Sequence, residues 1–458
     1  MPRKKEEIVI KDSPYIAHSK ERALRKSIVE GSLYSTSHSF STSFITPFAL
    51  AIGSNSFHIG VLSSFSGLVA PLGQLRSSKL MEKYSRKSII IKSKFLQAFF
   101  WLAIIGVAYL FWKGIVTIYL PYVLILLYVI LTFLGGLIAP AWFSWMGDIV
   151  PEKERGKYFA KRNRIIGFVG VISFIIGAFL LDFFKTKGYI LLGFGVIFGV
   201  AIIFQFISRA VMKTVFNPNF RVGKGYYFSF WNFLKTYDNY GKFAVFQAVF
   251  FFSVMISAPF FTVYMLNDLG FSYVTFTMVI LSSTVFYLIF TPLAGKFSDR
   301  YGNVKLLYVA GFLFPLVPLL WIFFRSPIFL ILFPGLISGV ANAAFSLGIT
   351  NFTYDSVSPQ KRGLCVAYTS LLVGVGVFGG GIIGGTLVQY LHITFMKPIL
   401  FVFLISTILM IMTALFFLPQ IKEERHTERM KGFSVDFHHP FRTVHSDVVW
   451  FKNFLHEK

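Results

Sequence analysis

Apolar residues run along this chain in long blocks separated by short polar stretches rich in Lys and Arg. A run of about twenty residues, at about 1.5 Å rise each, makes a helix that crosses a hydrocarbon core of about 30 Å. The blocks fall at 29–52, 58–80, 88–111, 117–147, 160–183, 188–210, 242–266, 273–294, 304–324, 328–353, 364–391 and 397–418. In lipid a backbone must satisfy its own hydrogen bonds, and a run this long does so as a helix. The pattern therefore predicts an all-α membrane protein of twelve transmembrane helices. The first block is the most polar, with Ser and Thr throughout.

The polar stretches set the orientation. Of the 44 Lys and Arg, 39 lie in 1–28, 76–94, 149–164, 208–242, 295–305, 354–363 and 419–458. The intervening loops hold only Lys113, Lys185, Lys187, Arg325 and Lys397. Basic loops stay on the cytoplasmic side, so both termini are expected there, in the cell membrane. The chain divides into a cytoplasmic N-terminal segment 1–28, a six-helix bundle 29–210, a cytoplasmic linker 211–241, a second bundle 242–418 and a cytoplasmic tail 419–458. The linker run "YYFSFWNFLKTY" suits either an amphipathic stretch at the membrane surface or an ordinary connection with anchoring aromatics. The tail's "FHHPFRTVHSDVVWF" is His-rich but irregularly spaced, so lipid headgroups are its expected partner and no metal site is expected.

Composition narrows the classes. With 55% hydrophobic and 14% charged residues, the chain has too little charge to cover a soluble surface of this size. Its net charge of +24 is spread over alternate loops, not gathered in one face or tail, so no nucleic-acid partner is expected. The one cysteine, Cys365, excludes an intramolecular disulfide and a cysteine metal cluster. No phosphate-binding G-x-x-x-x-G-K-[ST] loop occurs, and the "GVGVFGGGIIGG" run at 374–385 sits inside a span without a preceding strand, so no cofactor is expected. Its glycine pairs four apart, such as Gly381 and Gly385, suit close helix packing instead.

The chain repeats itself. "SKLMEKYSRK" from Ser78 is echoed by "GKFSDRYGNVK" from Gly295, and "GDIVPEKERG" by "YDSVSPQKRG". Asp148 and Arg155 are seven apart, as are Asp355 and Arg362, and "TPFAL" at Pro47 echoes "APFFT" at Pro259. The offsets of 217, 207 and 212 positions describe one repeat. The segment "GKFSDRYGNVK", with Gly295, Asp299, Arg300 and Gly302, resembles the loop signature of the major facilitator superfamily. The first copy departs from it, carrying Ser78, Glu82, Lys83 and Ser85 at the matching places, so charge is kept while glycine is lost. The likeness covers roughly 25–418 and leaves out both tails.

That resemblance implies two pseudo-symmetric six-helix bundles around a cavity and a secondary transporter of a small organic solute, working as a monomer by alternating access. It implies gating charges at Glu82, Lys83, Arg86, Asp148 and Arg155 in the first half, and at Asp299, Arg300, Asp355 and Arg362 in the second, with Gly295 and Gly302 shaping the turn. Glu82 would face Gly363–Leu364 and Asp299 would face Gly156–Phe159, each acid lying near the positive start of a helix. Asp148 is expected to pair with Lys83 or Arg86, and Asp355 with Arg300. The first, fourth, seventh and tenth spans would line the cavity. That puts Ser35, His38, Ser39 and Thr42, then Trp142 and Trp145, then Gln247, Ser257 and Tyr264, then Asn342 and Ser346 in line for the solute. His38 is the titratable group well inside the first span, and a coupling proton or cation is an expected partner. A Ser or Thr in a span also bonds to its own helix, so each single hydroxyl has a structural reading too. No mid-membrane carboxylate stands out, which favours a neutral or amphipathic organic solute. A non-transporting sensor or regulator of the same fold is the competing class; an enzyme would need a catalytic cluster that the spans do not contain.

Overall fold

The computed structural model describes residues 14–151, 154–216 and 229–425. Among these residues it is helical, with eleven helices long and apolar enough to cross a membrane. They run Ser56–Lys83 (α3), Arg86–Trp112 (α4), Leu120–Ile149 (α5), Arg155–Thr186 (α6), Ile190–Lys213 (α7), Asn239–Met255 (α9) continuing through Phe260–Val263 (α10), and Tyr273–Tyr301 (α11). After them come Asn303–Leu313 and Leu316–Phe323 (α12, α13), Pro327–Leu330 and Leu336–Ser356 (α14, α15), Pro359–Tyr390 (α16) and Pro398–Phe417 (α17). A twelfth element precedes them: α1, Pro14–Phe40, and α2, Ile45–Ala51, joined by a tight turn at Thr42–Phe44. Among the described residues these make twelve membrane helices, consistent with two halves of six.

The first helix differs most from the sequence expectation. It begins at Pro14 rather than near 29, because the polar stretch before it, with Lys20, Arg22 and Arg25, continues the helix. Near its other end the Ser41 hydroxyl donates to the Ser37 carbonyl at 2.6 Å, and the helix tightens into the turn at Thr42–Phe44. Elsewhere the helix starts follow their caps. The Asn55 side chain accepts from the His58 N–H while the Asn55 backbone N–H donates to His58 Nδ1, Ser85 accepts from the Ser88 N–H, and Pro121 and Pro398 occupy first-turn positions. Within the linker, Phe230–Lys235 forms a short helix (α8) whose Phe230 and Phe233 rings pack on Tyr368, leaving Trp231 exposed. Residues 217–228 of that linker and the His-rich tail lie outside the described residues.

The chain separates into two compact units. One comprises Met1–Gly225, Pro259–Thr277 and Val377–Leu391, so it holds α1–α7 together with α10, the start of α11 and the end of α16. Here α3 and α5 touch backbone to backbone: a Cβ on Gly73 would meet the Phe133 carbonyl at 2.5 Å and Gly136 Cα at 3.1 Å. Gly60 on α3 meets Gly381 and Gly385 on α16 in the same way, as the glycine spacing predicts. Lipid gives helices little hydrophobic reason to associate, so such close contact must come from small residues and dispersion. Ala141, Trp145, Met146 and Ile149 of α5 pack with Ile90 and Met212 in an aliphatic core.

The second unit comprises Tyr226–Ala258, Met278–Gly376 and His392–Lys458. Its core is aromatic: Phe250 stacks on Phe345 at 5.2 Å, Phe314 meets both edge-on, and Phe243 lies 4.5 Å from Phe352. Each such pair contributes about 0.5–1.5 kcal/mol beyond its buried area. The abundance of Phe thus goes partly into packing α9 against α15 and the junction after α12. Large apolar side chains such as Phe168 and Leu288 face outward, as lipid-facing helices require.

Candidate functional site

The repeated loop charges occupy the same structural place in each half. Arg155 sends Nη2 to the Gly147 carbonyl at 2.8 Å, and Arg362 sends Nη2 to the Tyr354 carbonyl at 3.0 Å. Each arginine reaches back eight residues to the unpaired carbonyls that end the preceding long helix, α5 or α15. The seven-residue Asp-to-Arg spacing therefore has a physical cause. The Asp sits in the last turn, and the Arg in the first turn of the next helix returns to the carbonyl beside it.

The acids themselves are held differently. In the first unit Asp148 pairs with Arg86 at 2.7 Å, and Arg86 also donates to the Ser144 carbonyl and hydroxyl at 2.8 and 3.1 Å. The Arg86 side chain is wholly buried, whereas Glu82 and Lys83 are exposed. In the second unit Asp355 accepts from Asn303 at 2.7 Å and pairs with Arg425 at 2.7 Å. Arg425 also lies 3.7 Å from Asp299, while Arg300 lies over the Tyr301 ring. Asn303 is braced by Ser298, which Asn351 in turn bonds. Glu423 accepts the Val304 N–H at 2.8 Å, capping the start of α12. Arg425 and Glu423 come from the segment after α17, which the sequence assigns to the cytoplasmic tail 419–458. Their partners were not legible, since nothing local ties residue 425 to residue 355.

Gly302 begins α12 at φ 97°, a conformation open to glycine and costly for other residues. Its counterpart Ser85 has φ −64°, so the first copy makes a wider turn with a side-chain cap. The loss of glycine there is accommodated by changing the turn. Gly295 has open space around it.

Inside the first unit lies a polar chamber of about 300 Å³. His38, Ser37, Ser41 and Thr42 of α1 line it, opposite Gln74, Gln97, Tyr128, Thr132 and Gln205. Gln205 donates to Gln97 at 3.0 Å, Gln97 donates to the Leu131 carbonyl at 3.2 Å, and Ser37 donates to the Ala201 carbonyl at 2.8 Å. His38 and Thr42 thus reach a cavity. Ser35 and Ser39 turn instead to α6, donating to the Ile166 and Gly170 carbonyls at 3.1 and 2.9 Å. The stripe splits because those hydroxyls act across the contact with α6, whereas the next positions round the helix face the chamber.

Next to this chamber, and sharing Tyr34, Gly135 and Ala139 with it, is a cavity of about 240 Å³ carrying charge. Glu30 and Lys94 form an ion pair there, both side chains at most 4% exposed. Ser208 bonds both, Lys94 at 2.7 Å and Glu30 at 2.9 Å, and the Lys94 ammonium lies 4.6 Å from the Tyr34 ring centre. Arg162 lies over the Trp142 ring at 4.2 Å and donates Nε to Ser27 at 3.2 Å. Sequence reasoning placed Trp142 as a cavity residue and missed the charges around it. The signal was a lysine two turns into α4, in the apolar run after Ile89, together with Glu30 beyond a basic loop.

The other candidates divide. Trp145 is fully buried in the aliphatic core and donates its indole N–H to the Phe216 carbonyl at 3.0 Å, so it packs and does not face a cavity. Ser257 bonds Ser406 at 2.8 Å and ties α17 to the end of α9. Gln247 is buried with its amide nitrogen unsatisfied, and Tyr264 is buried at a π-turn, Tyr264–Asp268, that bends the helix. Asn342 and Ser346 line a cavity of about 360 Å³ in the second unit with Ser283, Thr284 and Tyr287. Asn342 donates to the Ser338 carbonyl at 2.8 Å. In the first unit, Asp182 accepts from the Tyr273 and Val274 N–H groups at 2.8 and 2.9 Å, a carboxylate on the positive end of α11. Among the described residues no group of three His, Cys, Asp or Glu could hold a metal.

Comparison with known proteins bears on this geometry. The family model described as Major Facilitator Superfamily matches residues 31–233 and 243–455. A stretch of 126 residues is 32% identical to multidrug export protein EmrB of Haemophilus influenzae, covering 28% of this chain and 24% of that protein. Another of 116 residues is 33% identical to an uncharacterized transporter of Schizosaccharomyces pombe, covering 25% of this chain and 19% of that one. Both matches span under a quarter of the curated relatives. Among solved structures, nucleoside transporter NupG superposes with a TM-score of 0.65 at 16% identity over 88% of this chain and 99% of that one. A D-xylose-proton symporter gives 0.65 at 13% identity over 91% and 100%, and a bacterial homologue of the iron transporter ferroportin 0.67 at 16% over 88% and 99%. At these identities the likeness is one of fold.

Proposed function

The chain belongs to the Major Facilitator Superfamily, and from that premise we propose that it is a secondary active transporter moving a small organic solute through a membrane by alternating access. The observation that carries the reading is the polar chamber in the first unit, whose hydroxyl, imidazole and amide groups face a cavity rather than only each other. Polar groups inside a membrane protein are costly and persist where they serve a path or a site. The cavity at Asn342 and Ser346 supplies a second polar surface, in the other unit.

In this reading the halves 29–210 and 242–418, joined by the linker 211–241, rock against each other with both termini cytoplasmic in the cell membrane. Glu82 and Asp299 hold the cytoplasmic side closed by facing helix starts in the opposite half, a bias of about 1–3 kcal/mol in all. A proton is the coupling ion most compatible with His38 in the chamber. Monomeric action follows from each chain carrying both halves.

The test is uptake of a labelled solute panel into proteoliposomes, with and without an imposed pH gradient. Solute accumulation that collapses with the gradient supports coupled transport. A protein that binds solutes yet moves none, under any gradient, is a sensor of the same fold and ends the transport reading.

A further inference from the structure

The charged cavity of the first unit has more positive than negative charge, and its geometry shows which charge is spoken for. Glu30 Oε1 receives both Lys94 and Ser208, so the acid and the lysine satisfy each other. Arg162 spends Nε on Ser27 and lays its plane on Trp142, and among the described residues no carboxylate pairs with it. Its guanidinium lines the cavity beside Tyr34, Trp142 and Phe143. Glu30 acts on Arg162 from across the cavity, but its carboxylate is already shared by Lys94 and Ser208, so the partly desolvated guanidinium is incompletely compensated, and an arriving anion would relieve the remaining cost. The planar fork of Arg suits a carboxylate or phosphate in particular.

The fold does not demand this cluster. By the repeat offsets of 212, 217 and 207, the second-half counterparts of Glu30, Lys94 and Arg162 are Lys242, Gly311 and Thr369. No acid–base pair recurs there, although the arginine caps and loop aspartates do. A feature present in one copy and absent from its duplicate answers to function more readily than to architecture.

The geometry points to Arg162, stacked on Trp142 and backed by the Glu30–Lys94 pair, as the anion-binding subsite for a solute that carries a carboxylate or phosphate and whose body extends past Tyr34 into the chamber of Gln74, His38 and Thr132. This deepens the transport reading and rests on it. The anionic head takes the cavity of about 240 Å³, and the neighbouring 300 Å³ offers amide and hydroxyl groups to a hydrogen-bonding body. The composition alone had favoured a neutral or amphipathic solute; the paired and unpaired charges shift that to an organic anion.

Two matched trios test the charge preference: gluconate, glucose and glucosamine, and benzoate, benzamide and benzylamine. Binding to the purified full chain is read from tryptophan fluorescence and thermal shift. The anion of at least one trio is expected to bind tightest, and Arg162→Gln to weaken it about ten- to a hundredfold. Arg162→Lys should recover part of the loss, and Trp142→Ala should weaken the same anion in a chain that keeps both charges. An unchanged melting temperature without solute shows that each variant is folded. Equal binding of neutral or cationic members, no binding by any member, or unaltered anion affinity in Arg162→Gln overturns the subsite. Anion binding without passage into vesicles keeps the subsite and ends the transport reading. Passage of a neutral solute that Arg162→Gln leaves untouched does the reverse.

Discussion

The loop-end clusters of the two units solve one problem with different parts. Each places an aspartate in the last turn of a long helix and anchors it to the start of an earlier helix, Asp148 to Arg86 and Asp355 to Asn303. Arg86 and Asn303 are 217 positions apart, the offset of the loop repeat, so they are the same site in two copies. The first copy keeps the positive charge on the helix itself, with the arginine side chain wholly buried. The second copy has a short neutral amide there, and the charge arrives from Arg425, with its side chain 37% exposed. A duplicated fold conserves the electrostatic requirement of a site more strictly than the residue that meets it. The second copy also gains something: because Arg425 touches Asp299 as well, the loop acid and the helix-end acid share one cation.

Four outcomes break or sharpen that contrast. The largest concerns the pair found only in the first unit. Lys94→Met leaves Glu30 buried without its partner and should cost about 3–5 kcal/mol, whereas Glu30→Gln with Lys94→Met should recover most of it. Unfolding in mixed detergent micelles reads both. Next, Arg86→Ala removes one ion pair and two hydrogen bonds from a buried side chain, and a loss of about 2–3 kcal/mol is expected on the same scale.

Arg425→Ala should cost less, about 1 kcal/mol or below, because its pairs are half open to solvent. Adding Asn303→Arg to that variant would rebuild the first-half arrangement in the second half. Recovered stability would establish the two positions as equivalent; a further loss would show that the tail contact depends on the small Asn. An effect of similar size belongs to the shared element. Arg155→Ala removes the bond to the Gly147 carbonyl and Arg362→Ala the bonds to the Tyr354 and Val357 carbonyls, and each should cost about 0.5–1.5 kcal/mol in thermal melts. A large inequality would mean the repeat is one of sequence and not of mechanics.

Much of this was legible in advance. The spans, the repeat and the loop charges follow from periodicity and spacing, which are local and additive along the chain. The partners were less so. For Asp148 the expectation was Lys83 or Arg86, two bases at one end of the same half, while the place of Arg425 beside Asp355 depends on where a segment 70 residues further on comes to rest. The first-span stripe shows the same limit at smaller scale. The resemblance put Ser35, Ser39 and Thr42 in line for the solute, but the break after Phe40 and the closeness of α6 sent two of them to helix contacts and one to the chamber.

The sequence by itself determined the class, the helix count and the duplicated ends, because the cost of placing polar backbone and charge in lipid is paid residue by residue and leaves a pattern in one dimension. The tertiary structure decided which charges neutralise each other. Lys94 reads as one more basic residue near a loop until α1, α4 and α7 bring Glu30 and Ser208 to it, and Arg162 reads likewise until it is seen on Trp142 with no carboxylate of the described residues in salt-bridge contact. Pairing acts over a few ångströms in space between residues 64 or more positions apart, and no local pattern in the chain encodes it.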